Sequence, residues 1–158
     1  MNITILQVTP EYADQIAQHR RLIFAESADY PDMDVMEQRY AIWVAAKLVS
    51  GEYQGWFAQN DAGEIVAGVG LWLREWPPIP LNPTGRQGFV ENVYTLPAYR
   101  RQGIARKLMS AMLDWVRVSK AVYEIELHPT DTAHPLYDSL GFEGNTGLMS
   151  QWFGPKSE

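Results

Sequence analysis

Residues 88–127 constrain the fold more than any other part of the chain, because strand and helix patterns follow one another there in a fixed order. Gly88–Leu96 has the pattern of a strand and is stopped by Pro97. Apolar residues then recur at helical spacing, and Val122–Leu127 predicts a second, short strand. The helical positions are Ile104, Leu108, Ala111, Met112 and Trp115. Two strands joined through a helix pair in parallel with a right-handed crossover, so this unit predicts an α/β fold.

The rest of the chain predicts an antiparallel front half and further helices, in the order β α α β β β α β α β β. The predicted elements are an edge strand over 2–8, a helix from Pro10 to about Glu26 with Thr9 as N-cap, a loop over 29–34, a helix from Met36 to about Ser50, strands over 53–59 and 64–73 joined by a turn at 60–63, a stiff loop over 76–80, a short helix over 133–140 ended by Gly141, and a last hairpin over 142–153. No repeat or linker interrupts the chain, so we expect a single domain over 1–158.

Charge and composition exclude several classes of function. The net charge is −6, which argues against a nucleic-acid partner and mildly favours an amine-bearing one. There is no cysteine, so no disulfide framework, thiolate metal site or cysteine nucleophile is available. The N-terminus lacks a signal-peptide pattern, and the longest apolar run, Ala41–Ala46, is far too short for a membrane span. We therefore expect a cytoplasmic protein that does not enter the membrane.

A basic cluster marks the start of the third predicted helix. Arg100, Arg101, Arg106 and Lys107 crowd an end where the helix dipole already disfavours positive charge, and Gly103 adds a residue with low helix propensity. The cluster makes physical sense if an anion binds the free N–H groups at this helix N-terminus. The alternative is a solvated basic patch. Neither the dinucleotide fingerprint nor the P-loop pattern is present, so this anion loop is of another kind.

Two motifs carry a resemblance to a known family. Val93–Ala105 resembles the acetyl-CoA motif of the GCN5-related N-acetyltransferase (GNAT) family, which runs strand, Pro, Tyr-Arg, then [RQ]-x-x-G-x-[GA] into a helix. Arg100, Gly103 and Ala105 occupy its defining positions. Asp131–Phe142 is similar to the second family motif, which ends in Leu-Tyr, three further residues and Gly-Phe. Two linked motifs in the family's order are far more specific than either alone.

The resemblance implies the GNAT fold, in which one mixed sheet is flanked by about four helices and its central parallel strands splay around the CoA site. It implies acetyl-CoA as acyl donor and no metal. The implied CoA-binding residues are Val93, Tyr94, Thr95, Arg100, Arg101, Gln102, Gly103, Ile104, Ala105, Arg106 and Asp131. Many members have Asn where Asp131 stands, and an ionised Asp can accept a hydrogen bond there but cannot donate one.

The resemblance also implies direct attack of an amine on the thioester within a ternary complex. Tyr137 matches the family's general acid, which protonates the departing thiolate, although it could instead be a packing residue on a helix face. Glu91 and Glu126 lie on the two central strands, where relatives carry a base, although either could simply face solvent. A backbone N–H near Val93 or Tyr94 would polarise the thioester carbonyl.

The acceptor is expected to be a primary amine of a small molecule or peptide, and a homodimer is possible by analogy. Candidate lining residues are Phe24, Tyr30, Tyr40, Trp72 and Trp76, and the candidate acids for a cation are Glu26, Asp29, Asp32 and Asp34. The spacing of His128, Asp131 and His134 matches no zinc signature, so we expect no metal there. The alternative function is a non-catalytic acyl-CoA-binding or regulatory module on the same fold.

Overall fold

A mixed sheet of five strands is the centre of the structure, a computed structural model that describes residues 1–144. The elements are β1 (Thr4–Gln7), a 3₁₀ turn (Pro10–Tyr12), α1 (Ala13–Ser27), α2 (Met33–Ser50), β2 (Tyr53–Gln59), β3 (Ile65–Glu75), β4 (Arg86–Thr95), a second 3₁₀ turn (Pro97–Tyr99), α3 (Ile104–Ser119), β5 (Glu124–Glu126) and α4 (His134–Ser139). The chain divides into two units, residues 1–128 and 129–158, and each is described by itself. All five strands belong to the first unit.

The strands lie in the order β1-β2-β3-β4-β5. The first three pairings are antiparallel and the last, between β4 and β5, is parallel. The predicted α/β class, the antiparallel front half and the parallel pair formed across α3 are all confirmed.

Helices cover both faces of the sheet in the first unit. Successive side chains of a strand point to opposite faces, so Trp56 and Phe57 of β2 lie on opposite faces of the sheet. Trp56 packs edge-on against Trp115 of α3, with ring centroids 5.9 Å apart. Phe57 packs against Tyr12, which lies just before α1, and against His19 within that helix. The face that carries α1 and α2, which we call the α1 face, also carries the candidate catalytic groups.

A glycine on β3 allows a tyrosine to cross the α1 face. Gly70 pairs with Gly55 on one side and with Glu91 on the other. A Cβ at Gly70 would lie 1.7 Å from the hydroxyl oxygen of Tyr53, which no side chain can tolerate. The bare backbone therefore lets the Tyr53 hydroxyl pass over β3 and reach β4.

Element boundaries differ from the sequence predictions at several places. Thr9 makes no side-chain cap, and Pro10 opens a 3₁₀ turn before α1 begins at Ala13. The helix α2 begins at Met33, inside the stretch predicted as loop, and β5 is limited to Glu124–Glu126. The predicted hairpin over 142–153 falls mostly outside the described residues. No helix within residues 1–144 has the length and apolarity needed to cross a bilayer.

The predicted C-cap of the short helix is confirmed within the second unit. Gly141 has φ +88°, and its N–H donates to the carbonyl of Asp138. The N–H of Phe142 donates to the carbonyl of Tyr137, and the two aromatic rings meet edge-on at 6.0 Å. This is the Schellman motif, and its contact between Phe142 and Tyr137 packs the ring of Tyr137 at the C-terminal end of α4.

One buried histidine makes stability depend on pH. His19 is 2% exposed, packs between Phe57 and Tyr94, and lies 3.2 Å from the side-chain nitrogen of Gln15. Burial lowers the pKa of His19 to about 4 from its ordinary value of 6.5. The unfolded chain therefore binds the proton first as the pH falls, which favours unfolding.

We expect the contribution of His19 to the free energy of unfolding to be fully present above pH 6.5 and to be lost as the pH falls towards 4. The full shift corresponds to about 3 kcal/mol. Denaturant unfolding at about pH 7 and about pH 4.5 measures the fall, and His19→Gln should reduce it. His134→Gln, which changes an exposed histidine, is the matched control. An equal fall in wild type and His19→Gln would contradict the prediction.

Candidate active site

The parallel strands β4 and β5 stay together over only three residue pairs. These pairs run from Gln87 with Glu124 to Phe89 with Glu126. The strand β4 continues to Thr95, and over 90–95 no strand of the described residues lies beside this edge. An extended ligand can add to such an open edge through main-chain hydrogen bonds.

A bulge interrupts β4 along this open stretch. On the β3 side, Glu91 pairs with Gly70 and Tyr94 pairs with Gly68, so two residues of β4, Asn92 and Val93, oppose the single residue between those glycines. Asn92 has φ +55°, a left-handed conformation that asparagine adopts more readily than most residues. Because of the extra residue, the side chains of Glu91 and Tyr94 both lie on the α1 face.

A polar cluster surrounds the bulge, which we call the Asn92 cluster: Arg20, Tyr40, Tyr53, Glu91 and Asn92. The amide nitrogen of Asn92 donates to the hydroxyls of Tyr40, at 2.8 Å, and Tyr53, at 2.9 Å. Its amide oxygen accepts from Arg20 at 3.2 Å, and the Tyr40 hydroxyl donates to Glu91 at 2.8 Å. Four elements, α1, α2, β2 and β4, therefore meet through one asparagine side chain.

The direction of these hydrogen bonds follows from the chemistry of their donors. Burial is the main cause that raises the pKa of both Tyr40 and Tyr53, so both phenols keep their protons at neutral pH. The Tyr40 oxygen already accepts from Asn92, which leaves its own proton for the carboxylate of Glu91. Glu91 is thus held as a hydrogen-bond acceptor on the strand that borders the open edge.

The two candidate bases have different surroundings. Glu91 lies two residues beyond Phe89, the last residue of β4 that pairs with β5, and is held by a neutral hydroxyl. Glu126 forms an ion pair with Arg74 at 3.1 Å, and Arg74 also bonds Gln87 and stacks on aromatic rings. The carboxylate of Glu126 is therefore already hydrogen-bonded to a guanidinium of the chain, whereas that of Glu91 is not, and the choice of base stays a prediction.

The loop that leads into α3 presents unpartnered backbone donors. Arg101 has φ +60° and Gly103 has φ +78°, so the chain turns twice through left-handed conformations before the helix. Within the described residues, no acceptor bonds the N–H groups of residues 101–105. Consecutive N–H groups in such a turn form a concave anion site, strengthened by the helix N-terminus.

The arginines of this loop have separate environments. The guanidinium of Arg100 bonds the carboxylate of Glu26 and the carbonyl of Thr95, and the hydrogen bond to Glu26 is the main cause that raises the pKa of Arg100. Arg101 has no ion pair or hydrogen bond among the described residues and is exposed. Arg101 is therefore the arginine that remains available for an anion, and CoA contact by the Arg100 side chain stays a prediction.

Tyr137 and Asp131 belong to the second unit. Tyr137 is 7% exposed, and burial raises the pKa of its phenol, which keeps the proton in place at neutral pH. No hydrogen bond to its hydroxyl is found among residues 1–144. Asp131 is exposed in a turn before α4. These properties suit a proton donor at Tyr137, and both assignments stay predictions.

The residues expected around the acceptor fall into two groups. Phe24 and Tyr40 lie against Arg20, whereas Trp72 and Trp76 lie against Arg74. Tyr30 meets Phe24 edge-on. Two of the acids expected to attract a cation are already paired, Glu26 with Arg100 and Asp34 with Arg21. Among the described residues, no group of three side chains is placed to hold a metal ion.

Sequence reasoning missed three members of the Asn92 cluster: Arg20, Tyr53 and Asn92. The available signals were weak. Asparagine is depleted in strands and enriched at positive φ, which could have indicated a bulge. Arg20 lies one helical turn after the buried Ile16, which could have indicated a buried polar partner.

The comparison with protein families agrees with this geometry. The model of the acetyltransferase (GNAT) family matches residues 13–142. No curated protein matches the chain.

Several solved structures are similar over nearly the whole chain. A GCN5-related N-acetyltransferase from Ralstonia eutropha JMP134 is 27% identical with a TM-score of 0.85, and the match covers 96% of this chain and 99% of that one. A predicted acetyltransferase from Clostridium acetobutylicum, solved with acetyl-CoA, is 20% identical with a TM-score of 0.86, covering 95% and 96%. Glucosamine-6-phosphate N-acetyltransferase from Arabidopsis thaliana is 15% identical with a TM-score of 0.71, covering 98% and 100%. The last two likenesses concern the fold alone.

Proposed function

The chain belongs to the acetyltransferase (GNAT) family, and we propose that it transfers an acetyl group from acetyl-CoA to a primary amine of a small molecule or peptide. The observation that carries the proposal is the open edge of β4 over 90–95, which ends next to the unpartnered N–H groups of residues 101–105. The edge suits an extended pantetheine arm, and the N–H groups suit a pyrophosphate.

The proposed reaction is direct transfer. The amine nitrogen attacks the thioester carbonyl, a C–N bond forms, the C–S bond breaks, and CoA leaves as a thiolate. Glu91 accepts the proton that the amine loses, and Tyr137 donates a proton to the thiolate. A backbone N–H near Val93 or Tyr94 stabilises the oxyanion. The hydrogen bond from Tyr40 orients the carboxylate of Glu91, and burial, which raises the pKa of Tyr137, keeps its phenol protonated until the thiolate forms.

A screen of amines tests the function. Acetyl-CoA is supplied with a broad panel of small amines and peptides, and CoA release is followed. We expect saturable CoA release with at least one amine and stoichiometric acetylation of that amine. Tight binding of acetyl-CoA without CoA release on any amine would support the alternative, a non-catalytic acyl-CoA-binding module.

The two carboxylates can be distinguished by matched substitutions. We expect Glu91→Gln to lower kcat/KM about 100-fold at neutral pH, because the amine must lose a proton there. The defect should narrow as the pH rises towards about 10, where a much larger fraction of a free amine is deprotonated in solution than at neutral pH. Glu126→Gln removes an ion pair with Arg74 and should cost less than about fivefold. A larger loss in Glu126→Gln than in Glu91→Gln would reverse the assignment.

A further inference from the structure

Arg20 and Glu91 carry opposite charges that face each other without a hydrogen bond. The closest approach, between a guanidinium nitrogen of Arg20 and the Oε1 of Glu91, is 4.0 Å. A bonded arginine–carboxylate pair would lie about 1 Å closer. Each group is instead anchored by a neutral partner, Arg20 by the amide oxygen of Asn92 and Glu91 by the hydroxyl of Tyr40.

The remaining donors of Arg20 have no partner among the described residues. A guanidinium has five N–H donors, and one hydrogen bond, to Asn92, is found. The guanidinium lies over the ring of Tyr40 at 4.4 Å and near the ring of Phe24 at 5.3 Å, which orients it without using its N–H groups. The side chains of Arg20 and Glu91 are 26% and 12% exposed, so neither is closed off from solvent.

Four other arginines of the described residues differ from Arg20 in this respect, whereas the exposed Arg101 also has no carboxylate partner. Arg21, Arg74, Arg100 and Arg117 each hydrogen-bond a carboxylate of the chain. Arg20 is the neighbour of the proposed base, yet its positive charge is left without a hydrogen-bonded carboxylate. A ligand carboxylate would accept hydrogen bonds from the remaining N–H donors of Arg20, in the bidentate geometry that a guanidinium favours.

We propose that the acceptor is a zwitterion of the α-amino-acid class, whose carboxylate binds Arg20 while its amine faces Glu91. This inference rests on the proposed function and names its substrate class. The positive and negative groups of such a compound are close together, as are Glu91 and Arg20. The Asn92 cluster then serves to keep these two charges apart and correctly oriented until the acceptor binds.

The test compares three compounds for each common amino acid with a primary amine: the free acid, its methyl ester and the corresponding decarboxylated amine. We expect kcat/KM for the preferred free acid to exceed that of its ester by at least about tenfold. Esterification lowers the basicity of the amine and so favours its neutral, reactive form. A preference for the free acid therefore reports recognition of the carboxylate.

Substitution of Arg20 assigns this preference to one side chain. We expect Arg20→Gln to raise KM for the free acid at least about tenfold while the values for the ester hardly change. Arg20→Lys keeps the positive charge but loses the bidentate guanidinium, so it should raise KM for the free acid by a smaller factor. It serves as the test if Arg20→Gln does not fold. Arg21→Gln, at the next position of α1, should behave as wild type.

Esters that react as well as acids, an amine without an anionic group as the best acceptor, or equal losses for acid and ester in Arg20→Gln would each overturn the inference. Those results would leave the acetyltransferase proposal intact. Binding of acetyl-CoA with no CoA release on any amine would overturn both the acetyltransferase proposal and the acceptor inference. The absence of CoA release distinguishes this result from the others.

Discussion

Replacing Tyr137 by phenylalanine is expected to lower kcat for acetyl transfer about 100- to 1,000-fold, with little change in the affinity for acetyl-CoA. The substitution removes the hydroxyl alone and keeps the ring that packs on Phe142. If the phenol protonates the leaving thiolate, its loss affects the chemical step and not the binding of the donor. Stopped-flow or steady-state CoA release, together with calorimetric titration of acetyl-CoA, measures the two quantities separately.

The pH profile of the wild type gives an independent check on Tyr137. Burial raises the pKa of this phenol, so the acid form persists to higher pH than in a free tyrosine. Activity should therefore be retained on the alkaline side at least to about pH 10. Tyr123→Phe, at an exposed tyrosine, is the control and should leave kcat unchanged. Turnover near wild type in Tyr137→Phe would remove Tyr137 from the mechanism.

Substitution of Gly103 by valine is expected to weaken acetyl-CoA binding at least about 30-fold. Gly103 has φ +78°, and a Cβ there would meet no atom within 4 Å, so the side chain finds space in the free protein. The effect arises because the valine resists the left-handed turn that presents the N–H groups of residues 101–105.

Gly51 provides a closely matched control for this substitution. It has φ +80°, and a Cβ at this position would likewise meet no atom within 4 Å, but Gly51 ends α2 instead of starting α3. Gly51→Val therefore carries the same backbone strain and should lose stability without losing affinity. Equal affinities for acetyl-CoA in Gly103→Val and wild type would contradict the anion site.

The charge of the same loop can be tested at Arg101. Arg101→Glu should also weaken acetyl-CoA binding, and the effect should shrink as salt is added. Arg117→Glu changes the net charge equally at the other end of α3, where Arg117 is paired with Asp114. A loss of affinity confined to Arg101→Glu would separate a local contact from the long-range effect of net charge.

The parts of the fold that could be predicted are those that local sequence specifies. The order of strands and helices follows from hydrophobic periodicity, and the loop before α3 follows from basic residues placed where a helix dipole disfavours them. Gly141 indicated the left-handed C-cap of α4, because few other residues adopt that backbone conformation without steric strain.

The Asn92 cluster could not be predicted, because its contacts join residues far apart in the chain. Arg20 and Tyr40 lie on two different helices, and each meets Asn92 only once those helices pack on the same face of the sheet. The bulge that turns Asn92 towards them carries no glycine or proline, so the alternation of β4 reads as an ordinary strand. The sequence offered Glu91 and Glu126 as alternatives, and the structure distinguishes them by their partners, Tyr40 and Arg20 beside Glu91 and Arg74 beside Glu126.

The bulge at Asn92 and Val93 gives β4 an unusual response to changes in length. Before it, odd-numbered side chains such as Phe89 and Glu91 lie on the α1 face, and after it the even-numbered Tyr94 does. Loss of one of the two bulge codons would remove the extra residue, restore strict alternation and leave Glu91 and Tyr94 on the same face of the sheet. Tyr94 would then still face His19, whereas loss of a codon elsewhere in β4 would put the side chains on one side of the gap on the wrong face. As far as register is concerned, the gene segment encoding β4 should therefore accept a single-codon deletion at the bulge more readily than one elsewhere in the strand.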